Sequence, residues 1–517
     1  MSCKKDEIKW VIKFSLLVIM ITTIPYIIAY FKQGDNWVFS GFLFGVEDGN
    51  SYIAKMLSGA NQSWLFKTPY SSMEQNGFIA FIPYLLLGKL SSAPGQHVQL
   101  VMLFQIFRWA GILFLCYSSY LFISLFIQEI KYKRLILFLS MMGGGLGWMG
   151  IPFTDTMPLE FYSPETFGFL SVFGIPHLLF SKGLLLSGLT IFMGKTRHIK
   201  NTLLVGLCWF LIGFFQPLTI PIGWAVMGAY ILVGILFSII RRESEWIGIW
   251  KREIFHILII VGITSPWVIY NLFSFYHDSF LKGWYSQNII QSPEPVYYFI
   301  SIGLLIPFAI WGLVPLLKEK RKTGYLALGW LIIFPVLIYF PISTQRRLAE
   351  GIWTLIVILF VLFLINHHLK EKIIHLITIP LLICSTLLYM GAIQATLIPQ
   401  SPIFIPVNEI AMFKFLGDNT TSQDIIMAPY EISNPLPAWV YVRTVMGHGP
   451  ESVNLKEIKK DWELLHKTND PQEKENIIQK FHPRYIILEN KDSSLKNMDT
   501  VRQIYINQDY SIYQFQE

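Results

Sequence analysis

Cysteine and charge are both scarce in this chain. Four cysteines occur in 517 residues, Cys3, Cys116, Cys208 and Cys384, at the N-terminus or inside apolar runs. No pair sits where an exported disulfide or a cysteine-based zinc site is expected, so neither is predicted. Charged residues make up 15% of the chain against 53% hydrophobic, a balance too apolar for a soluble enzyme of this length. There is no basic stripe with interleaved aromatics, so the formal charge of +7 reports loop orientation, and no nucleic-acid partner is expected. A small-residue cleavage site is missing after the first apolar run, 10–31, which follows Lys4, Lys5 and Lys9. That run reads as an uncleaved span.

What the chain has in abundance is apolar sequence in lengths that cross a bilayer, about 17–25 residues each. Spans are predicted at 10–31, 98–127, 133–151, 169–193, 202–216, 218–240, 254–276, 296–317, 324–340, 351–366 and 373–398, about eleven in all. Basic loops at 131–134, 195–200, 241–252, 318–322 and 367–372 join the N-terminal lysines on the cytoplasmic side. An odd number of crossings then exports the segment from about 399 onward. The short run 78–90 carries Pro83 and Lys89 and is placed along the outer interface, so the first exported loop runs from about 32 to 97. The expected fold class is mainly α: a polytopic membrane helical bundle over 1–398 with a small exported α/β domain over 399–517. In that domain Asp424-Ile-Ile-Met-Ala-Pro, Tyr485-Ile-Ile-Leu and Ile504-Tyr-Ile read as strands. A multi-pass plasma-membrane protein is therefore expected, with the lipid bilayer as its surroundings.

Within this frame the costly charges mark candidate chemistry. Glu47 and Asp48, in Gly45-Val-Glu-Asp-Gly-Asn-Ser-Tyr52, lose hydration beside a span unless water, a cation or a proton-giving substrate meets them. Asp48 and Tyr52 share a face if the piece is helical, although Gly49 and Asn50 argue against a long helix. A second exported loop carries Asp155, Glu160 and Glu165. Such carboxylates suit a hydroxyl-activating base or an oxygen-bound divalent cation, and simple solvation is the alternative for each. Asp48, Asp155 and Glu160 are the cation candidates.

Three further segments stand out. Gly174-Ile-Pro-His177 precedes Lys182 in an apolar stretch, and a lysine there needs a partner or a route to the interface. Arg346 and Arg347, in 341–350, lie on the side where the charge bias predicts few cations, and the guanidinium fork suits phosphate oxygens. Pairing with Glu350 or lipid headgroups is the competing reading. Met446-Gly-His-Gly-Pro-Glu451 reads as a polar turn carrying His448 and Glu451, and the glycines of 141–148 read as room for close helix approach.

Taken in order, these features resemble the GT-C superfamily of integral-membrane glycosyltransferases. The match lies in the early Glu47-Asp48 motif, the Phe81-Ile-Pro-Tyr84 segment, a second acidic exported loop, Gln345-Arg-Arg347 before a late span, and the exported α/β domain. The resemblance implies a polyprenyl-phosphate-linked sugar as donor, an exported lipid, glycan or protein as acceptor, and an acidic residue of the first loop as base or metal ligand. Asp48 is the matching position, with Glu47 beside it, since the order here is Glu-Asp rather than Asp-Glu. Tyr52, Glu165, His177, Lys182, Arg346 and Arg347 are the expected substrate contacts, and a divalent cation, Mg or Mn, the expected cofactor. Inverting hexosyl or pentosyl transfer is the expected reaction. A transporter or lipid-linked saccharide flippase is the first alternative, and a non-catalytic assembly or sensor protein the second.

Overall fold

The computed structural model describes residues 5–153, 155–194, 198–495 and 498–516. Cys3, Lys4 and positions 195–197 of one basic loop lie outside them. Among the described residues six helices are long and apolar enough to cross a membrane: Lys5–Lys32, Gln96–Ile123, Thr219–Ile240, Trp246–His277, Gln345–Asn366 and Glu371–Leu397. The pairs Ile130–Met142 with Gly147–Phe153 and Pro295–Ser301 with Gly303–Lys318, bent by 41° and 54°, raise this to eight if each is one span. Shorter apolar helices, Pro176–Phe192, Ile199–Phe215 and Lys322–Ile338, stand where the predicted spans at 169–193, 202–216 and 324–340 fall. This is a multi-pass membrane protein.

The chain forms two compact units. The first comprises Met1–Thr23, Phe107–Leu272 and Ile290–Gly391 and is a helical bundle. Its helices approach closely at glycines. A Cβ on Gly312 would lie 2.0 Å from the Leu359 carbonyl, and one on Gly329 2.8 Å from the backbone of Ala229, so both contacts require the missing side chain.

The second unit comprises Ile24–Ile106, Phe273–Ile289 and Ala392–Glu517. It thus gathers the first predicted exported loop with the C-terminal segment, a grouping different from the cut at 398. Strand pairing ties the pieces: Trp37–Phe39 runs antiparallel to Phe404–Pro406. A five-stranded sheet has the order Arg443–Thr444, Ile425–Met427, Tyr485–Glu489, Tyr510–Phe515, Val501–Ile506, parallel across the first three and antiparallel across the last three. Side chains alternate between its faces. Ile426 and Ile487 pack into one core, and Ile425, Met427, Ile486 and Leu488 into another. That explains the unbroken apolar runs of these strands.

One expectation is corrected. The residues from Val46 to Ala60 form a continuous helix despite Gly49 and Asn50, and each of the two has a tertiary reason to be there. A Cβ on Gly49 would sit 2.2 Å from the Phe42 ring, and the buried Asn50 donates to Asn434 Oδ1 at 2.8 Å. Packing overrides the weak helix propensity of both residues. Further along, Gly59 meets the Leu85 carbonyl and Gly88 the Met56 carbonyl, so the helix lies directly on the short helix Ile82–Gly88.

Candidate functional site

The helix Val46–Ala60 begins at Gly45, whose φ of +55° is left-handed and suits glycine. Glu47 and Asp48 occupy its first turn, where the helix dipole favours negative charge. Asp48 remains 59% exposed, yet its Oδ1 lies 3.0 Å from Nε2 of His448, which is only 5% exposed. The other imidazole nitrogen, Nδ1, lies 3.4 Å from Glu451 Oε1. Glu451 in turn accepts from Lys55 Nζ at 2.6 Å, Ser51 Oγ at 2.8 Å and Thr68 Oγ1 at 2.6 Å. Lys55 also bonds Ser51 Oγ, and Lys55 and Glu451 are 1% and 3% exposed. A chain of alternating charge therefore runs from the surface carboxylate into the unit: Asp48, His448, Glu451, Lys55.

Local sequence explains how the turn carrying His448 is held. A Cβ on Gly447 would lie 2.5 Å from the Ser433 carbonyl, so only glycine fits that approach. The amides of Gly447 and His448 donate to Ser452 Oγ at 3.1 and 3.2 Å, and Gln287 Nε2 donates to the Ser452 carbonyl at 2.8 Å. Asn434 donates to the Gly447 carbonyl at 2.7 Å, while its own carbonyl accepts from Tyr70 OH at 2.9 Å.

Electrostatics follow from this geometry. Burial works against charge on His448, but the hydrogen bond to Asp48 and the charges of Asp48 and Glu451 outweigh it and raise its pKa to about 9. Burial likewise opposes ionisation of Glu451, and Lys55 and His448 overcome it, holding its pKa well below the usual carboxylate range. Glu47 accepts from Tyr430 OH at 2.9 Å, and burial together with Glu47 raises the pKa of that phenol. The Tyr52 ring stacks on Tyr84, centroids 4.8 Å apart at 6°, so its aromatic body is part of the packing beneath this face.

The first unit gathers a different set. Glu165 Oε1 lies 3.5 Å from Arg347 Nε, and the Glu165 carbonyl accepts from Gly351 N at 3.3 Å. Lys182 donates to the carbonyls of Pro164 and, at 3.3 Å, Phe167, and to Ser171 Oγ at 2.9 Å. It braces the second acidic loop from below. Glu350 is fully buried, and neither carboxylate oxygen has a hydrogen-bond partner among the described residues. Its charged neighbours are Lys182, Glu165 and Arg347. Arg346 stacks its guanidinium 5.0 Å from the Tyr162 ring centroid, and its Nε is buried without a hydrogen bond among the described residues. His177 is half-buried at the start of the helix Pro176–Phe192.

The cation candidates do not form a ligand set. Glu160 accepts from Gly147 N at 2.8 Å and Ser301 Oγ at 3.1 Å, and side chains on Gly145 or Gly147 would collide with its carboxylate. The glycines of 141–148 are thus the cradle of a buried acid. Asp155 is exposed on a bend. Among the described residues no three His, Cys, Asp or Glu side chains are grouped to hold a metal.

Reading the sequence left out Lys55, Tyr430, Asn434 and the pairing of His448 with Asp48. Lys55 had a signal: Asp48, Ser51 and Lys55, spaced by three and four, share one helix face, and a lysine on an otherwise apolar turn needs a buried anion.

No family model matches the chain, and no curated protein matches it significantly. Solved structures do. The chain is similar to the Archaeoglobus fulgidus oligosaccharyltransferase tethered with an acceptor peptide containing the NVT sequon, with 11% identity and a TM-score of 0.53 over 92% of this chain and 69% of that one. The Archaeoglobus fulgidus enzyme in complex with an inhibitory peptide and a dolichol-phosphate gives 11% identity and a TM-score of 0.52 over 92% and 69%. ArnT from Cupriavidus metallidurans in the apo state covers 97% of its length and 96% of this chain, at 10% identity and a TM-score of 0.48. Mainly helical, with several apolar spans and a small C-terminal sheet domain, the chain shares the fold of the Archaeoglobus fulgidus oligosaccharyltransferase.

Proposed function

We propose that this chain is a membrane glycosyltransferase that moves a sugar from a polyprenyl-phosphate donor to an exported lipid, glycan or protein acceptor, with inversion at the sugar carbon. The observation that carries the reading is Asp48: a largely exposed carboxylate at a helix start, anchored from behind by His448, on a GT-C fold. In the transfer Asp48 takes the proton of the acceptor hydroxyl or amide as its oxygen or nitrogen bonds to the anomeric carbon. The bond from that carbon to the phosphate oxygen breaks, and the lipid phosphate leaves with the electron pair. Arg346 and Arg347 receive that anion, since preset cations stabilise charge that develops in the transition state. The dolichol-phosphate and the acceptor peptide bound by the structural neighbours support these donor and acceptor classes. The N-terminus is assigned to the cytoplasm and the C-terminal segment to the exported side, following the loop charges.

The test is a panel of polyprenyl-phosphate hexoses and pentoses incubated with the purified protein and cell-envelope acceptors, with products identified by mass spectrometry. Transfer from at least one donor, with release of polyprenyl phosphate, is expected. A panel with no transfer contradicts the proposal and favours a transport role.

A further inference from the structure

The buried groups behind Asp48 carry an inference that rests on the reading of Asp48 as the base. We propose that His448 is a positioning residue: a doubly protonated imidazolium that fixes the orientation of Asp48 and keeps it ionised, itself held in that state by Glu451 and Lys55. The geometry favours two protons on the ring. Nε2 is hydrogen-bonded to Asp48 at 3.0 Å, and Nδ1 lies 3.4 Å from Glu451 Oε1, close enough for charge attraction but outside hydrogen-bond geometry, so the ring sits between two carboxylates, where the imidazolium is the favoured form. Glu451 is itself fixed on three sides by Lys55, Ser51 and Thr68, so it presents a stationary negative charge behind the ring. The C-terminal segment thereby supplies the group that aims a side chain of the helix Val46–Ala60.

The surroundings support the charged form. Burial would lower the pKa of His448, and its two carboxylate partners raise it to about 9 instead. The other ionisable groups facing it are Tyr70, with its ring centroid 5.6 Å away, Lys55 through Glu451, and the Glu47–Tyr430 pair. Lys459 stacks over Tyr430 at 4.3 Å, and Glu431 adds a charge beside that phenol. During transfer the proton moves from the acceptor to Asp48, and His448 keeps both of its own. Its contribution is a fixed partner that leaves one orientation of the base, which is where misplacement costs rate.

Two measurements on the full-length protein in nanodiscs test this. The first follows the imidazoles of histidine-labelled protein by NMR, with the His448 signal assigned by its loss in His448→Gln. A doubly protonated ring at pH 7 with a midpoint near pH 9 is expected, moving clearly lower in Asp48→Asn. A neutral ring at pH 7, or a midpoint indifferent to Asp48→Asn, overturns the proposal whatever the substrate. The second uses the donor that turns over in the panel. His448→Gln should lower kcat about 100-fold, with donor KM within about twofold, and should abolish the fall in rate near pH 9. Unchanged kcat in His448→Gln alongside an inactive Asp48→Asn overturns the positioning role and leaves the base reading intact. Full activity in Asp48→Asn removes the base reading itself.

Discussion

The two polar centres of this protein are built with different balances of charge. In the second unit three carboxylates, Glu47, Asp48 and Glu451, stand with two cations, His448 and Lys55. In the first unit two carboxylates, Glu165 and Glu350, stand with two cations, Lys182 and Arg347, and the further guanidinium of Arg346 lies on the Tyr162 ring. A centre with an excess carboxylate suits proton removal, and one with an excess guanidinium suits an anion. The centres also differ in how the surplus group is held. Asp48 is exposed and hydrogen-bonded to the His448 ring, whereas Arg346 stacks on Tyr162 with Nε buried and unbonded among the described residues. The lesson is that a buried charge network can serve one outward group, and that group is the one to test for chemistry.

The comparison can be broken most severely at Lys55. Lys55→Met leaves the buried Glu451 carboxylate without its nearer cation, at 2.6 Å, and loss of one partner of a buried pair costs about 3–5 kcal/mol. Lys467→Met, which removes an exposed pair with Glu463, should change stability by under about 0.5 kcal/mol. Thermal unfolding in detergent reads both, and equal effects contradict the ranking. Arg346→Ala should sharpen the contrast: kcat/KM for the donor falls about 10- to 100-fold, the value of a charge-assisted hydrogen bond at ~1.5–3 kcal/mol, while unfolding temperature changes little. A large loss of stability with unchanged kcat/KM would make Arg346 structural.

The smallest effect is a pH dependence of stability. The His448 pKa is raised from 6.5 to about 9, so its stabilisation is fully present below 6.5 and is lost as pH rises through about 9. The Glu451 pKa is depressed from 4.5, so its stabilisation is present above 4.5 and is lost as pH falls through the depressed value. Unfolding measured across pH should therefore show greatest stability between these limits, with the alkaline slope weakened in Asp48→Asn. A stability that rises between pH 7 and 9 contradicts the charged-ring account.

The apolar helices were legible in the sequence because apolar length is read along the chain, residue by residue. Helices stand at the predicted span positions for that reason, and Glu47 and Asp48 were visible as costly charges beside a span. The helix through Gly49 and Asn50 was not, since its warrant lies in Phe42 and Asn434, the latter 384 residues away in sequence. The partner of Asp48 was hidden for the same reason: His448 is 400 residues distant, and its turn looks like any polar loop. The glycines of 141–148 do more than allow the close helix approach read from them: Gly145 meets the Ser301 carbonyl at the end of the helix Pro295–Ser301, and Gly145 and Gly147 also admit the Glu160 carboxylate, a contact that helix-packing patterns do not encode.

The claim on which the rest depends is that Asp48 takes the acceptor proton. The direct measurement is kcat of Asp48→Asn, folded and monodisperse in nanodiscs, with the donor that wild type uses. The substitution keeps the size of the side chain and removes its basicity, so a loss of at least about 100-fold with donor KM near wild type is predicted. Wild-type kcat in Asp48→Asn would contradict it.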